Sequence, residues 1–435
     1  MTPISMMARA LLIGRNIGAC QVGMAGAKTK VTMLSTRHGS SRAGSKSPAA
    51  NWIPATITLV SCHALSGRAE DQGGYRFANY KEDANRINIE TQSGYFELKP
   101  KSWLTLQGEV VYDAISGMTP TGSPPPSTIT FVPDPNGNPP PGANSTSVPL
   151  SHMYDIRWAG SLSGTFAYKQ HRLTPQFSYG EEHDYKATGA ALNYSVDLNE
   201  KNTTINAGWS HNWDQVLPNG FLHQQMSKGA NDLILGVNQL LGPKTVLTLN
   251  GAYGHADGYL NDQYKGVLFD NEPQGDPLSP ALEPENRPQT RNKYVAYLSL
   301  TQDVTPLDAS VEGTYRFFYD SYAIQAHMFQ VGWFQKLGKT VVISPMARYY
   351  YQSAASFYVV RLPDYDTRPT YYSADYRLSK LDTLTLGVNV SWKLKEWLSI
   401  DAGYRRYVMN GLDGITSSTA YPKANVYSMG ARIWF

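Results

Sequence analysis

The sequence predicts an all-β chain, a transmembrane antiparallel β-barrel of about 16 strands, and three observations carry that expectation. Apolar and polar residues alternate with period two through run after run. The connections between the runs divide into a short set and a long set. The chain then ends inside a strand, on Phe435. In residues 384–394, Leu384, Leu386, Val388, Val390, Trp392 and Leu394 share one side, against Thr385, Gly387, Asn389, Ser391 and Lys393. Leu104, Leu106, Val110 and Tyr112 oppose Thr105, Gln107, Glu109 and Asp113 in the same way, and Ile205, Ala207 and Trp209 oppose Thr204, Asn206 and Ser210. A soluble sandwich has such alternation too; the loops separate the two. Short Gly-, Pro- and Lys-rich turns fall at 99–101, 169–172, 199–202, 242–244, 305–308, 337–339 and 395–397, and longer connections fall between them at 115–152, 181–186, 213–230, 257–291, 355–380 and 411–422. Two brief connections, near 82–85 and 320–322, take positions in the long series.

Taken in order, the runs are 74–81, 86–98, 102–114, 153–168, 172–180, 187–198, 202–212, 231–241, 245–256, 292–304, 309–320, 322–336, 340–354, 382–394, 398–410 and 423–435. Their number is even, and both ends of the series lie on the short-turn side, as in bacterial outer-membrane barrels. The composition agrees: 29 Tyr and 9 Trp favour strands with interfacial aromatic anchors. Tyr95, Phe96 and Trp103 flank the first short turn, and Tyr349, Tyr350 and Tyr351 stand near a long loop. No stretch approaches the ~20 apolar residues of a membrane-spanning helix.

Residues 1–69 differ in kind, with eight Lys and Arg residues and no Asp or Glu. A basic segment, the apolar run "IPATITLVSCHAL" and small Gly67 and Ala69 before "EDQ" read as a signal peptide cleaved near Ala69. Its length is accounted for by Met33 as the true start. A competing reading makes "LVSC" a lipoprotein box with Cys62 lipidated. Removing the segment leaves 30 basic against 35 acidic residues, a net of about −5, which gives no basic surface for nucleic acid. Cys20 and Cys62 lie within it, so thiol and disulfide chemistry is excluded from residues 70–435, which form a single barrel domain.

The last strand explains its own abrupt end, because a strand that must pair with the first one cannot fray. Its tail "SMGARIWF", with Ser428, Gly430, Ile433 and Phe435 in alternation, resembles the C-terminal assembly signal of outer-membrane proteins and implies the barrel-assembly machinery as a partner. The segments "GEVVYDAISGMTPTG", "HRLTPQFSYGEEHDYKATGAALNYSVDLNEKNTT", "SPMARYYYQSAASFY" and "YYSADYRLSK", with the "ANVYSMGARIWF" end, resemble the DUF3570 family of bacterial proteins over nearly all of residues 70–435. That family has no known function. The resemblance implies an exported barrel and no activity or site residues.

Signatures of chemistry are thin. "GSLSG", Gly160–Gly164, sits on a strand and lacks the helix of a nucleophile elbow. "GVNQLLGPKT" has Pro243 displacing the lysine of a phosphate loop by one position. "DPNGN" places Asp134, Asn136 and Asn138 like calcium ligands, but Pro139 and Ser145 stand where Gly and Glu are required. "EEHD", around His183, reads as a solvated loop with no partnered nucleophile. Neither an enzyme nor a cofactor is expected. The lumen is where function would reside, and the face assignment turns Glu109, Asp113, Glu312, Arg316, Arg348, Asp401, Arg405 and Arg432 inward. In a water-filled pore these charges filter solutes; in a narrow barrel they are salt-bridged packing. The expectation is a passive porin-like channel for small polar solutes in the bacterial outer membrane, in contact with its lipids. The alternative is a non-conducting scaffold for a periplasmic or extracellular partner. Homo-oligomers fit either reading.

Overall fold

Alternating sequence on a pleated backbone puts every second side chain on one face, and a sheet so patterned can bury its unpaired edges only by closing on itself. The computed structural model describes residues 71–131, 133–271 and 281–435. The signal-peptide reading, with Ala69 and Cys62, concerns residues outside these. The first half of the wall is β1 (Gln72–Glu82), β2 (Asn88–Lys101), β3 (Leu104–Pro120), β4 (Leu150–Tyr168), β5 (His171–Glu181), β6 (Tyr185–Leu198), β7 (Thr203–Val216), β8 (Met226–Gly242) and β9 (Thr245–Gly258). Two short strands, β10 (Gly266–Asn271) and β11 (Ala281–Pro284), precede β12 (Thr290–Val304), β13 (Ala309–Asp320), β14 (Gln325–Leu337) and β15 (Val341–Gln352). Then come the short β16 (Arg361–Asp364) and the final β17 (Leu381–Lys395), β18 (Leu398–Gly411) and β19 (Lys423–Trp434).

Sixteen of these form one closed antiparallel barrel, each paired with its neighbours in sequence, the three short strands standing apart. Closure is made by β1 on β19, in register from Gln72 opposite Trp434 to Glu82 opposite Ala424. The Phe435 N–H extends the seam by donating to the Asp71 carbonyl at 2.9 Å. Each of the sixteen runs expected from the sequence has its strand.

The apolar faces point outward. Leu235, Leu386, Val331, Trp209 and Met429 are exposed on the outer wall, and only a hydrocarbon surrounding makes such a surface favourable. Aromatic rings gather at its rims: Trp103 stacks on Phe166 at 6.2 Å near the short turns, and Tyr253, Tyr294 and Tyr319 form a chain at 5.3 and 6.2 Å across β9, β12 and β13 toward the long loops. No described helix is long and apolar enough to cross a membrane.

Several strands overrun their expected ends. β3 and β4 stay paired up to Pro120 opposite Leu150, and β7 and β8 up to Val216 opposite Met226. Beyond the apolar belt a ladder needs only backbone partners, so it leaves no alternation to detect. β14 starts three residues late because Asp320 closes a tight turn, its Oδ1 accepting from the N–H groups of Tyr322 and Ile324 at 3.0 Å each. The second sheet, ordered β11-β10-β16, escapes the sequence reading altogether. It is built by the two longest late loops, with β10 antiparallel to β11 and parallel to β16.

Candidate functional site

Inward positions divide into two zones. Near the middle of the wall, β13, β15 and β18, which start from short turns at Ala309, Val341 and Leu398, each carry an inward arginine seven residues further on: Arg316, Arg348 and Arg405. Strands that start flush at short turns keep equal counts at nearly equal height, so these three guanidinium groups lie on one level of the wall. Arg316 shares its face with the buried Glu312 and Thr314, yet it is exposed to solvent. An inward side chain reached by water means a hollow at that level. Arg348 Nε donates to Gln330 Oε1 at 2.8 Å, which holds its head along the wall. Arg316 acts electrostatically on Arg348, and Arg348 and Arg76 act on Arg405. Two carboxylates, Glu312 and Asp401, lie four residues nearer the short turns on β13 and β18.

The other residues singled out from the sequence are dispersed. Arg432 donates from Nε to Tyr95 Oη at 2.7 Å and lies over the Trp434 ring. Glu109 is half-buried on the inner face of β3. Asp113, four residues on, is buried, accepts from Thr91 Oγ1 and pairs with Arg157 at 3.1 Å. It therefore belongs to salt-bridged packing and lines no open water. Arg157, Asp155 and Glu182 complete that cluster; alternation in β4 against exposed Tyr154 and Trp158 is the signal that places Asp155 and Arg157 inside. Of the terminal motif, Ser428 and Gly430 are on the inner face, whereas Ile433 and Phe435 are exposed outside.

The second zone, at the long-loop end, is filled. Tyr376 and Leu381 pack with Tyr80, Ile89, Ile115, Tyr407, Met409 and Val426, side chains reaching in from β1, β2, β3, β18 and β19. Tyr376–Leu378 is a single 3₁₀ turn with all three side chains buried, initiated by Asp375, whose side chain accepts from the Arg377 N–H. Around it lies an ion network. Arg377 reaches Asp262 and Asp375, each at 2.5 Å; Arg287 reaches Asp375 at 2.9 Å and Glu285 at 2.6 Å. Ser373 Oγ donates to Glu285, and Lys265 donates to Thr119 Oγ1 at 3.1 Å and to the Pro120 carbonyl. From the wall, Gln352 Nε2 donates to the carbonyls of Arg377 and Ser379 at 2.9 Å. The described loop segments 259–271, 281–289 and 353–380 thus meet inside the mouth as a plug, while much of 133–146 in the Pro-rich loop is exposed.

Charge in the plug is held by compensation. Burial alone would raise the Asp375 carboxyl, but Arg377 and Arg287 hold it well below the usual carboxylate range. Burial, reinforced by the like charge of Arg377, draws the Lys265 ammonium down to about 8. Beside the plug, burial pushes Asp184 up to about 6 against the hydrogen bonds it accepts from Tyr264 and Asn219. Among the described residues no group of three or more His, Cys, Asp or Glu side chains is placed to hold a metal ion.

The family described as "Protein of unknown function (DUF3570)" matches residues 49–232 and 223–425. No curated protein matches the chain. Among solved structures, CdiB from Acinetobacter baumannii is similar at 9% identity and a TM-score of 0.48, over 86% of this chain and 61% of that one. A bacterial polysaccharide outer membrane secretin gives 9% and 0.45, over 84% and 98%. The siderophore receptor PirA from Pseudomonas aeruginosa gives 10% and 0.40, over 83% and 61%, so this chain spans about three fifths of that receptor. The barrel itself is established by its own closed strand pairing.

Proposed function

We propose, from the premise that the chain belongs to the DUF3570 family, that it is an outer-membrane channel for small polar solutes, with its own loops closing the outer mouth in this conformation. The observation that carries the reading is Arg316, inward on the wall yet reached by solvent, level with Arg348 and Arg405. A hollow lined by fixed charge selects solutes by size and by sign. The reading assigns no catalytic step. It places the short turns at the periplasm and the long loops outside, and it requires the plug to leave the mouth for solute to pass. Conductance of the refolded barrel in a planar bilayer tests it. Discrete ohmic steps support the channel, and silence from a demonstrably folded barrel refutes it.

A second reading has its own observation. The mouth is packed with fully buried Tyr80, Lys265, Phe269, Leu381 and Met409, as expected of a scaffold that never conducts. On that reading the exposed tip of the Pro-rich loop, or the short-turn rim, holds a partner, and that partner copurifies in stoichiometric amount.

A further inference from the structure

The channel reading leaves open what enters the hollow, and the level of the arginines bears on it. Arg316, Arg348 and Arg405 occupy alternate stretches of one wall, with β14 between the first two and β17 between the second two. Across β14, Arg316 stands opposite Met328 and Arg348 opposite Gln330; across β17, Arg348 stands opposite Thr385 and Arg405 opposite Gly387. Each step shifts by two residues toward the short turns, which the tilt of barrel strands converts into equal height. Gly387 matters to this spacing, because a Cβ there would come 2.6 Å from the Arg405 side chain. The absent side chain is what lets Arg405 lie across β17 toward Arg348.

The far wall at comparable depth is polar and uncharged. The inner faces of β5 and β7 carry Gln176, Ser178, Asn206, Ser210 and Asn212. Three inward carboxylates on its own strands stand four residues from the belt: Glu312 and Asp401 toward the short turns, Glu312 buried with Thr314 Oγ1 donating to it at 3.3 Å and Asp401 against Gly430, and Asp320 toward the long loops, buried and paired with Arg291. Above the belt, Tyr350 and Tyr407 project inward, and Tyr376 of the plug completes the ceiling. The hollow is therefore entered from the short-turn end, basic on one side, neutral on the other, and roofed by phenol groups.

We infer that this belt is a binding site for small oxyanions, carboxylate or phosphate, entering from the short-turn end. Guanidinium forks donate paired N–H groups that fit the oxygens of either class, and three of them on one level can surround a single anion. Confinement within the wall strengthens the attraction relative to open water. The inference rests on the channel reading only for the hollow, and needs no passage through the mouth.

The test is equilibrium titration of the full folded chain in detergent, with pyrophosphate in one arm and succinate in the other, each variant first checked for heat-modifiable migration as a folded barrel. Wild type is expected to bind at least one anion saturably, and the arm that binds distinguishes phosphate from carboxylate. Arg316→Gln, Arg348→Gln and Arg405→Gln are each expected to weaken binding severalfold, and the triple variant at least tenfold, while Lys169→Gln in a short turn leaves it unchanged. Absence of saturable binding by folded wild type to both anions overturns the site, as does undiminished affinity in the triple variant. Should the triple variant not fold, the three single variants decide. Binding by a barrel that is silent in the bilayer upholds the site and refutes the channel; conduction without binding does the reverse.

Discussion

Replacing Asp375 by alanine removes the acceptor at the centre of the plug. Its Oδ2 takes Arg287 at 2.9 Å and Arg377 at 2.5 Å, and its Oδ1 takes Arg377 Nε at 2.6 Å and the Arg377 N–H at 3.1 Å. All three side chains are at most 6% exposed, so water does not replace what is lost. Breaking one buried ion pair typically costs about 3–5 kcal/mol. Arg377 keeps Asp262 and Arg287 keeps Glu285, which places this variant near the lower end, about 3 kcal/mol, or roughly a hundredfold in the docking equilibrium of the loops. The wall is untouched, because its ladders do not depend on the plug. Limited trypsin digestion of the barrel in lipid reads the population of the undocked loops, through cleavage after Lys265, Arg377 and Lys380. Cleavage about a hundredfold faster, with barrel migration unchanged and longer open dwells in the bilayer, is the expected result. Equal cleavage rates in Asp375→Ala and wild type would refute the claim that this network holds the mouth shut.

Three further outcomes follow from the same geometry. Leu235→Arg, at a side chain 67% exposed on the outer face of β8, is expected to cost about 2–4 kcal/mol in vesicle-refolded barrel, and unchanged stability would mean that this face does not meet lipid. Deleting Trp434 and Phe435 removes backbone bonds to the carbonyls of Trp397, before β18, and Asp71, across the seam, at 3.0 and 2.9 Å, a loss of about 1–3 kcal/mol; assembled barrel in cells should fall far more than that figure implies, and wild-type yields would dismiss the assembly-signal reading. Asp184 has its pKa raised to about 6 from the ordinary 3.8, so between those values the folded mouth holds more protons than the undocked one. Docking therefore strengthens as pH falls through 6 and levels off below about 4, by up to about 3 kcal/mol from this group. Trypsin protection that weakens between pH 7 and 5 would contradict it.

The legible part of the molecule is the part with a local period. Leu384 to Leu394 and their counterparts in other strands name their outward face because lipid demands an apolar side chain at every second position, and the short turns at 242–244 or 395–397 announce themselves by Gly, Pro and Lys. The inward direction of Arg316, Arg348 and Arg405 follows from the same alternation. Their common height does not follow as directly, since it depends on register across β14 and β17. Asp113 illustrates the limit: its face is legible, but its burial against Arg157 depends on the β3–β4 register that sets the two opposite each other.

The sequence by itself therefore determined the number of wall strands, their order and which side of each faces lipid, because these are set within a dozen residues by pleat and solvent. Only the tertiary structure decided that two long loops enter the barrel, build a second sheet and seal it through pairs such as Asp262 with Arg377, 115 residues apart. Charges matched over that distance leave no periodic trace in a polar loop; they find one another only after the wall has closed and brought both loops to the same mouth.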